Sequence, residues 1–328
     1  MLKKARKERL IWLDIMLTLL TLELMSYFYY GIRSVVLAGV CIAAAVFAEL
    51  VSLRLMKRKF SADDLTCTSD ALILALMFPA VMDFKIAFIA VVFAVVAAKN
   101  IFGGRLNMIF SPAAAGYVFV LTSWGRKLLQ FTEPHVKTGV FEAPSALVNS
   151  ASHTFNFTGV FKHSDFEILL GNFSGPSGAV SILLLAVAAG VLIFRRSISA
   201  GAFIGTIFGT GFLAVVTPAV QSRTDSLKYS LVTNMVLFAA VYIISDVRIA
   251  PKRDYYAFFY GLFVGVVSYI LVLTGAKENA IVIVSVLFTP VALGFRNLEK
   301  RIETAAMEYE TECGLISGQT EEEGALSE

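Results

Sequence analysis

The side chains of this sequence best placed to do chemistry are two aspartates set beside apolar runs, Asp70 and Asp246, each preceded by a serine. An ionisable group drawn into a bilayer is costly and persists where it pairs or conducts, whereas the same aspartate at a helix end on the interface is ordinary. Forty residues after Asp70 and 42 after Asp246 stand two copies of one phrase. Residues 110–117 read Phe-Ser-Pro-Ala-Ala-Ala-Gly-Tyr, and residues 288–295 read Phe-Thr-Pro-Val-Ala-Leu-Gly-Phe. Ser or Thr before Pro supplies an N-cap followed by a first-turn proline, so each phrase predicts a helix start inside apolar sequence. Helices begun there offer N–H groups to an anion, and unwound carbonyls nearby suit a cation. The plainer alternative for either phrase is a proline kink with small-residue packing.

The elements that must position these groups are membrane helices. With 57% apolar and only 16% charged side chains, the chain of 328 residues is an all-α integral membrane protein and not one compact aqueous domain. Hydropathy predicts spans near 10–29, 34–53, 69–82, 84–98, 107–124, 176–194, 198–216, 229–245, 255–273 and 279–295. If all ten cross, 19 of the 28 Lys and Arg residues fall on one side with both termini, which assigns that side to the cytoplasm and the segment 125–175 to the outside. The basic start (Lys3, Lys4, Arg6, Lys7, Arg9) precedes an apolar run with no small-residue cleavage site, and is expected to remain as the first helix.

The two landmarks at matched offsets imply two five-helix halves, and an odd number per half makes the second copy inverted across the membrane. The expected organisation is a basic cytoplasmic N-terminus (1–9), a first repeat (10–124), an external loop segment (125–175), a second repeat (176–297) and an acidic cytoplasmic tail (298–328), with broken helices at the interface of the halves. The tail carries nine Glu against two cations and is expected to be solvated and partly disordered, with docking to a cytoplasmic partner as the alternative. Gly201, Gly205 and Gly209 repeat at four-residue spacing, the pattern of a close-packing helix face.

Other classes are disfavoured. The basic residues sit in short loops, so no nucleic acid is expected as a partner. Cys41, Cys67 and Cys313 lie far apart without a C-x-x-C pair, and His135, His153 and His163 are scattered through the external segment, so no metal site is expected. No phosphate-binding loop of the G-x-x-x-x-G-K type is present.

Longer stretches carry a family resemblance. Lys99-Asn-Ile-Phe-Gly-Gly104 followed by Asn107-Met-Ile-Phe-Ser-Pro-Ala-Ala-Ala-Gly116 resembles the K-x-x-F-G-G…N-x-F-N-P-A-x-x-G signature of the D subunit of Rnf-type ion-translocating electron transport complexes. The B subunit of sodium-translocating NADH:quinone oxidoreductase shares that signature. Leu170-Gly-Asn-Phe-Ser-Gly-Pro-Ser-Gly178 resembles the family's L-G-N-x-x-G-S-x-G-E, and Ser245-Asp-Val-Arg-Ile-Ala-Pro251 its T-D-P-x-T-x-P. The match runs from about Ser69 to Phe295, and the chain length favours the D-subunit branch. The sequence departs from the pattern at Ser111, Ala179, Val247 and Ile249, so it reads as a divergent member.

The resemblance implies ten helices in two inverted repeats, within a prokaryotic cytoplasmic-membrane complex that couples electron transfer to sodium or proton movement. It implies other membrane and peripheral subunits as partners, besides membrane lipid. The family subunit holds FMN through a phosphoester to the Thr of an S-G-A-T sequence, attached by a dedicated flavin-attaching enzyme. The corresponding stretch is Glu142-Ala-Pro-Ser-Ala-Leu147, which makes Ser145 the candidate attachment residue; Thr138 and Thr154 are the other hydroxyl candidates. The acidic residue expected upstream of the site is replaced by Gly139. Lys99, Gly103, Gly104, Asn107, Pro112, Gly116, Gly175, Ser177 and Gly178 are carried over as candidate cofactor-binding residues, with helix starts at Pro112 and near Gly178 as phosphate sites. Phe110, Tyr117 and Phe288 are candidate ring neighbours, Asp70 and Asp246 the candidate ion pathway, and riboflavin a further candidate cofactor. Three readings stay open: a flavin-carrying electron-transfer subunit that is not an enzyme alone, a solute or ion transporter of the same fold, and a redox-silent scaffold. Flavin content separates the first from the others.

Overall fold

The computed structural model describes the backbone of residues 2–58, 62–102, 108–136, 139–142, 146–161, 163–220, 222–275 and 278–325, and side chains within those ranges from 9 to 307, except 62 and 63. Ser145, Thr138, Gly103, Gly104 and Asn107 lie outside the described residues. The described residues are helical apart from connections and one isolated antiparallel bridge, Phe131 with Val148.

Among the described residues three helices are long and apolar enough to cross a membrane unaided: Arg9–Tyr30 within α1 (Leu2–Tyr30), α2 (Ile32–Leu55) and α12 (Asp254–Gly275). Gly31, at φ 78°, is the single residue between α1 and α2, a conformation that favours glycine. Two further candidates are bent pairs. One joins α10 (Arg223–Val232) to α11 (Val236–Ala239) and its π-helical continuation Ala240–Ile244 at 55°; the other joins α13 (Ala280–Leu287) to the first part of α14 (Thr289–Ala325) at 44°. Shorter apolar helices complete the body: α3 (Thr66–Met77), α4 (Phe84–Phe93) with a π-helical extension Ala94–Asn100, α5 (Pro112–Leu128), α8 (Ile182–Phe194) and α9 (Ala200–Val216). Two small helices, α6 (Ala151–Thr158) and α7 (Asp165–Leu170), lie in the segment 125–175.

Several expected spans therefore differ in form. The expected span 69–82 falls on α3, a 12-residue helix (Thr66–Met77) that is buried along its whole length and ends at the extended Phe78. At about 1.5 Å per residue it covers roughly 18 Å and does not cross alone. The segment 229–245 is broken at 233–235, where Asn234 and Met235 take φ of 59° and 58°. Hydropathy reports composition and not hydrogen bonding, so it passes over such breaks.

Both phrases do start helices. Ser111 caps α5, its Oγ accepting from the Ala114 N–H at 3.5 Å with Pro112 in the first turn, and Thr289-Pro290 opens α14 after the bend. The glycine stripe packs as expected. A Cβ on Gly201, Gly205 or Gly209 would run into backbone of Asp254, Phe258 or Leu262 on α12, and Gly261 and Gly265 on α12 meet α9 in return.

Contacts between connections define two ends of the bundle. The proximal end gathers Asp14, Arg195, Ser199, Ser245, Arg248, Met108 and Arg296: Arg195 pairs with Asp14 at 2.8 Å, Ser199 N–H donates to the Ser245 carbonyl at 2.9 Å, and Arg296 donates to the Arg248 carbonyl at 3.1 Å. The distal end gathers Tyr29, Arg33, Phe78, Val81, Asp83, Lys127 and the described residues of the segment 131–178. There Tyr29 Oη donates to the Leu170 carbonyl, Arg33 to the carbonyls of Val81, Gly139, Val140 and Glu142, and Lys127 to Asp83.

Candidate functional site

At the proximal end the two predicted aspartates meet on one guanidinium. Arg248 Nη2 lies 2.5 Å from Asp70 Oδ1 and 2.7 Å from Asp246 Oδ2, and its Nε donates to both Asp246 oxygens at 2.9 Å. Asp70 is 3% exposed and Asp246 5%, so the pair is drawn from water. Asp70 comes from the first turns of α3, whereas Asp246 follows the π-helical turn and accepts the Arg248 N–H at 2.9 Å. Burial alone would lower the Arg248 pKa; Asp246 and Asp70 outweigh it and hold it well above its ordinary value.

Lys99 is fully buried beside this end, and its Nζ reaches Glu49 Oε1 on α2 at 3.0 Å, while Asn100 donates to Glu49 Oε2 at 3.1 Å. Cys67, one turn before Asp70, feels Lys99, Glu49 and Asp70 together, so the two ion clusters are neighbours around the start of α3.

The distal end holds a second buried polar group. Ser150 Oγ donates to Glu278 Oε2, the same Oγ accepts the His153 N–H at 2.8 Å, and Tyr117 Oη donates to Asn279 Oδ1 at 2.8 Å. Glu278 lies between α12 and α13, and burial pushes its pKa up to about 7 against the opposing Ser150 bond.

Two cavities lie at the distal end. One, of about 750 Å³, is lined by Glu133, His135, Asn149, Thr154, Phe161 and His163 among others, and Phe161 stacks on Tyr229 at 5.2 Å. The other, of about 510 Å³, is lined by Arg33, Asp83, Phe84, Lys127, Phe141 and Glu142. Leu147 lines both.

Asp70 and Asp246 are thus brought together, but the other predicted residues are not gathered in one site. Lys99 sits near the start of α3, whereas Gly178 and Ser177 pack on its far end, with the Gly178 N–H donating to the Leu76 carbonyl at 2.9 Å and Ser177 N–H to that of Phe78 at 3.1 Å. Gly175 lies against Val180, and a Cβ on Gly116 would meet Leu74, Ala94 and Ala90, so these glycines allow close packing. Tyr117 stacks on Phe78, Phe110 lies edge-on to Phe102, and Phe288 packs at the edge of the core. Pro112 supplies the first turn of α5.

The residues that sequence reasoning missed are Arg248, Glu49, Glu278 and Ser150. Arg248 stands two residues from Asp246 in a stretch already singled out, and Glu49 is a lone acid in an apolar helix; both were signals available in one dimension.

A family model described as the NQR2, RnfD, RnfE family matches residues 2–294. Among similar characterised proteins, the D subunit of the Na(+)-translocating ferredoxin:NAD(+) oxidoreductase complex of Acetobacterium woodii is 24% identical over 264 residues, 80% of each chain. The B subunit of the Na(+)-translocating NADH-quinone reductase of Klebsiella pneumoniae is 23% identical over 209 residues, 61% of this chain and 51% of that one. The D subunit of an ion-translocating oxidoreductase complex of Shewanella frigidimarina is 30% identical over 133 residues, 39% and 35% of the two chains.

Proposed function

Because the chain belongs to the NQR2, RnfD, RnfE family, whose members here are membrane subunits of ion-translocating oxidoreductase complexes, we propose that it is a flavin-bearing membrane subunit of such a complex. The observation that carries this reading is the pair of distal cavities lined by residues that neighbour Ser145 in sequence: Leu147 lines both and Glu142 one of them. The residues present fit FMN. Arg33 and Lys127 offer positive charge for a phosphate, Phe161 offers an aromatic wall, and the volumes lie in the range of about 300–1,000 Å³ typical of cofactor sites. Bound there, the flavin would supply one- and two-electron redox chemistry, while the chain binds, orients and shields it. The Ser145 hydroxyl is the acceptor for the phosphoester made by a flavin-attaching enzyme.

Ten crossings in two inverted halves account for the sorting of connections. The described residues of the connections between α2 and α3, α4 and α5, α8 and α9, and α11 and α12 belong with the proximal contacts, and those of the connections between α1 and α2, α3 and α4, α5 and α8, α9 and α10, and α12 and α13 with the distal ones, alternating along the chain. The basic residues concentrate at the proximal end, which supports a cytoplasmic assignment for that end and both termini. On this reading α3 and the α10–α11 pair are the broken third and eighth helices, clamped together by Arg248. Asp70 and Asp246 then form the cytoplasmic carboxylate pair of the ion pathway, and Arg248 holds their place until a cation competes for them. Peptide mass mapping of the chain co-expressed with its partner subunits and flavin-attaching enzyme tests the assignment. The reading predicts an FMN adduct on the peptide holding Ser145; flavin-free protein from cells that load other subunits would refute it.

A further inference from the structure

Where α10 breaks, the backbone frees oxygens that a continuous helix would occupy. The Asn234 N–H turns to Ser152 Oγ at 3.0 Å, and the Val236 N–H to the Thr233 carbonyl at 3.2 Å. The Ser230 and Val232 carbonyls therefore lose the donors expected four residues on. Both lie in the last turn of α10, the negative end of its dipole. Beside this end is a cavity of about 10 Å³, room for one water-sized particle. Its polar lining is Thr210 of α9, Ser230 of α10, Asn234, and Ser268 and Tyr269 of α12, each at most 4% exposed. A second cavity, of about 340 Å³, shares Ser230, Asn234 and Tyr269 with it, and carries Asn156, Thr158 and Ala219 from distal segments in its wall.

The donors around the small cavity are already committed. Thr210 Oγ1 donates to the Gly265 carbonyl at 3.4 Å, Ser268 Oγ to the same carbonyl at 2.8 Å, and Tyr269 Oη to the Thr217 carbonyl at 2.8 Å. The Asn234 amide Nδ2 donates to Asn156 Oδ1 at 3.3 Å and Thr233 Oγ1 at 3.0 Å. What remains to these side chains is accepting lone pairs. Ser230 Oγ, on the wall of both cavities, has no hydrogen bond among the described residues. We propose that the small cavity binds one dehydrated monovalent cation of sodium size, entered from the larger cavity on the distal side.

The lining selects this cargo against others. An anion finds only the Ser230 O–H to donate to it, and a divalent cation finds no carboxylate among the described lining residues. Potassium asks for a larger oxygen shell than so small a space holds. A water brings two hydrogens to four hydroxyl oxygens, whereas a cation is shared by all of them. The carbonyl end of α10 offsets its charge. Binding exchanges waters of hydration for protein oxygens, and no covalent bond forms or breaks. Thr210 stands six residues before the end of α9 and Ser268 seven before the end of α12, so the site is about 9–10 Å inside the distal end. Asp254, which starts α12 at the proximal end, is about 21 Å from Ser268 along the helix. The site is therefore separate from the Asp70–Arg248–Asp246 cluster and needs nothing from the flavin. Its role as the outer station of an ion route rests on the translocation reading; the binding itself does not.

Equilibrium binding of radioactive sodium to the purified full chain tests this directly. The expected result is saturable binding that a tenfold excess of potassium or choline does not displace. Affinity should fall at least tenfold in Ser230→Ala and in Ser268→Ala, and stay unchanged in Ser285→Ala, a buried hydroxyl on α13 outside the cavity. Ser230→Ala removes no hydrogen bond seen among the described residues, which keeps the test decisive should Ser268→Ala fold poorly. Sodium should also slow amide exchange over residues 230–236 in the natural chain and not in Ser230→Ala. Binding should persist in folded Asp70→Asn/Asp246→Asn/Arg248→Met, which removes the proximal carboxylates. No saturable binding to the folded chain, unchanged affinity in folded Ser230→Ala, equal competition by potassium, or binding lost with the proximal carboxylates would each overturn the proposal. A flavin-free chain that binds sodium in the expected pattern counts against the flavin reading alone; a flavin-loaded chain that binds none counts against this proposal alone.

Discussion

Replacing Arg248 by methionine would leave Asp70 and Asp246 side by side in the interior with no counter-charge. Both carboxylates are at most 5% exposed, and both lose their shortest contacts, at 2.5 and 2.7 Å. Removing one partner of a buried ion pair costs about 3–5 kcal/mol, because the remaining charge is stranded. By contrast the exposed Lys127–Asp83 pair, at 57% and 42% exposure, is worth about 0–1 kcal/mol. Unfolding of the detergent-solubilised chain, followed by intrinsic fluorescence in a denaturant series, compares the two. Arg248→Met should lose several times more stability than Lys127→Met. The triple variant Arg248→Met/Asp70→Asn/Asp246→Asn should recover more than half of the loss, since neutral amides need no counter-ion. A loss below about 1 kcal/mol for Arg248→Met would refute the reasoning, as would a triple variant no better than the single one.

Glu278 gives a pH dependence of the opposite sense to the usual carboxylate. Its folded pKa, raised to about 7 by burial, lies above the unfolded value, so the folded state holds the extra proton and its contribution fades as pH rises from about 4.5 to 7. That is roughly 3 kcal/mol, and denaturant midpoints measured across this range should show it fall, with the slope flattened in Glu278→Gln. Gly205→Ala would drive its Cβ into the Phe258 carbonyl, and overpacking of this kind costs about 1–3 kcal/mol, read as a lower unfolding midpoint. Gly39→Ala, with open space around its Cβ, is the control and should change little. Lys99→Met strands Glu49, 2% exposed, and should destabilise by about 3–5 kcal/mol, with Glu49→Gln/Lys99→Met largely restored.

What the sequence made legible is local. Ser111-Pro112 and Thr289-Pro290 state where helices begin, because capping and first-turn proline act over four residues. Gly201, Gly205 and Gly209 state a close approach, because a stripe of missing side chains leaves room for a neighbouring backbone. Asp70 and Asp246 stood out because charge is rare in apolar runs. Their union through Arg248 was not legible, since Asp70 lies 178 residues from its partner. The break at Asn234 and Met235 escaped because the flanking sequence is as apolar as an unbroken helix. Ser177 and Gly178, read as cofactor candidates, touch the far end of α3, a tertiary contact with no one-dimensional signature.

The most direct measurement is ultraviolet in-gel fluorescence of the SDS-denatured chain, purified after co-expression with its flavin-attaching enzyme, beside Ser145→Ala. The account predicts a fluorescent band for the natural chain and none for the variant. A dark band for both, with partner subunits loaded in the same cells, or a band that survives Ser145→Ala, would contradict it.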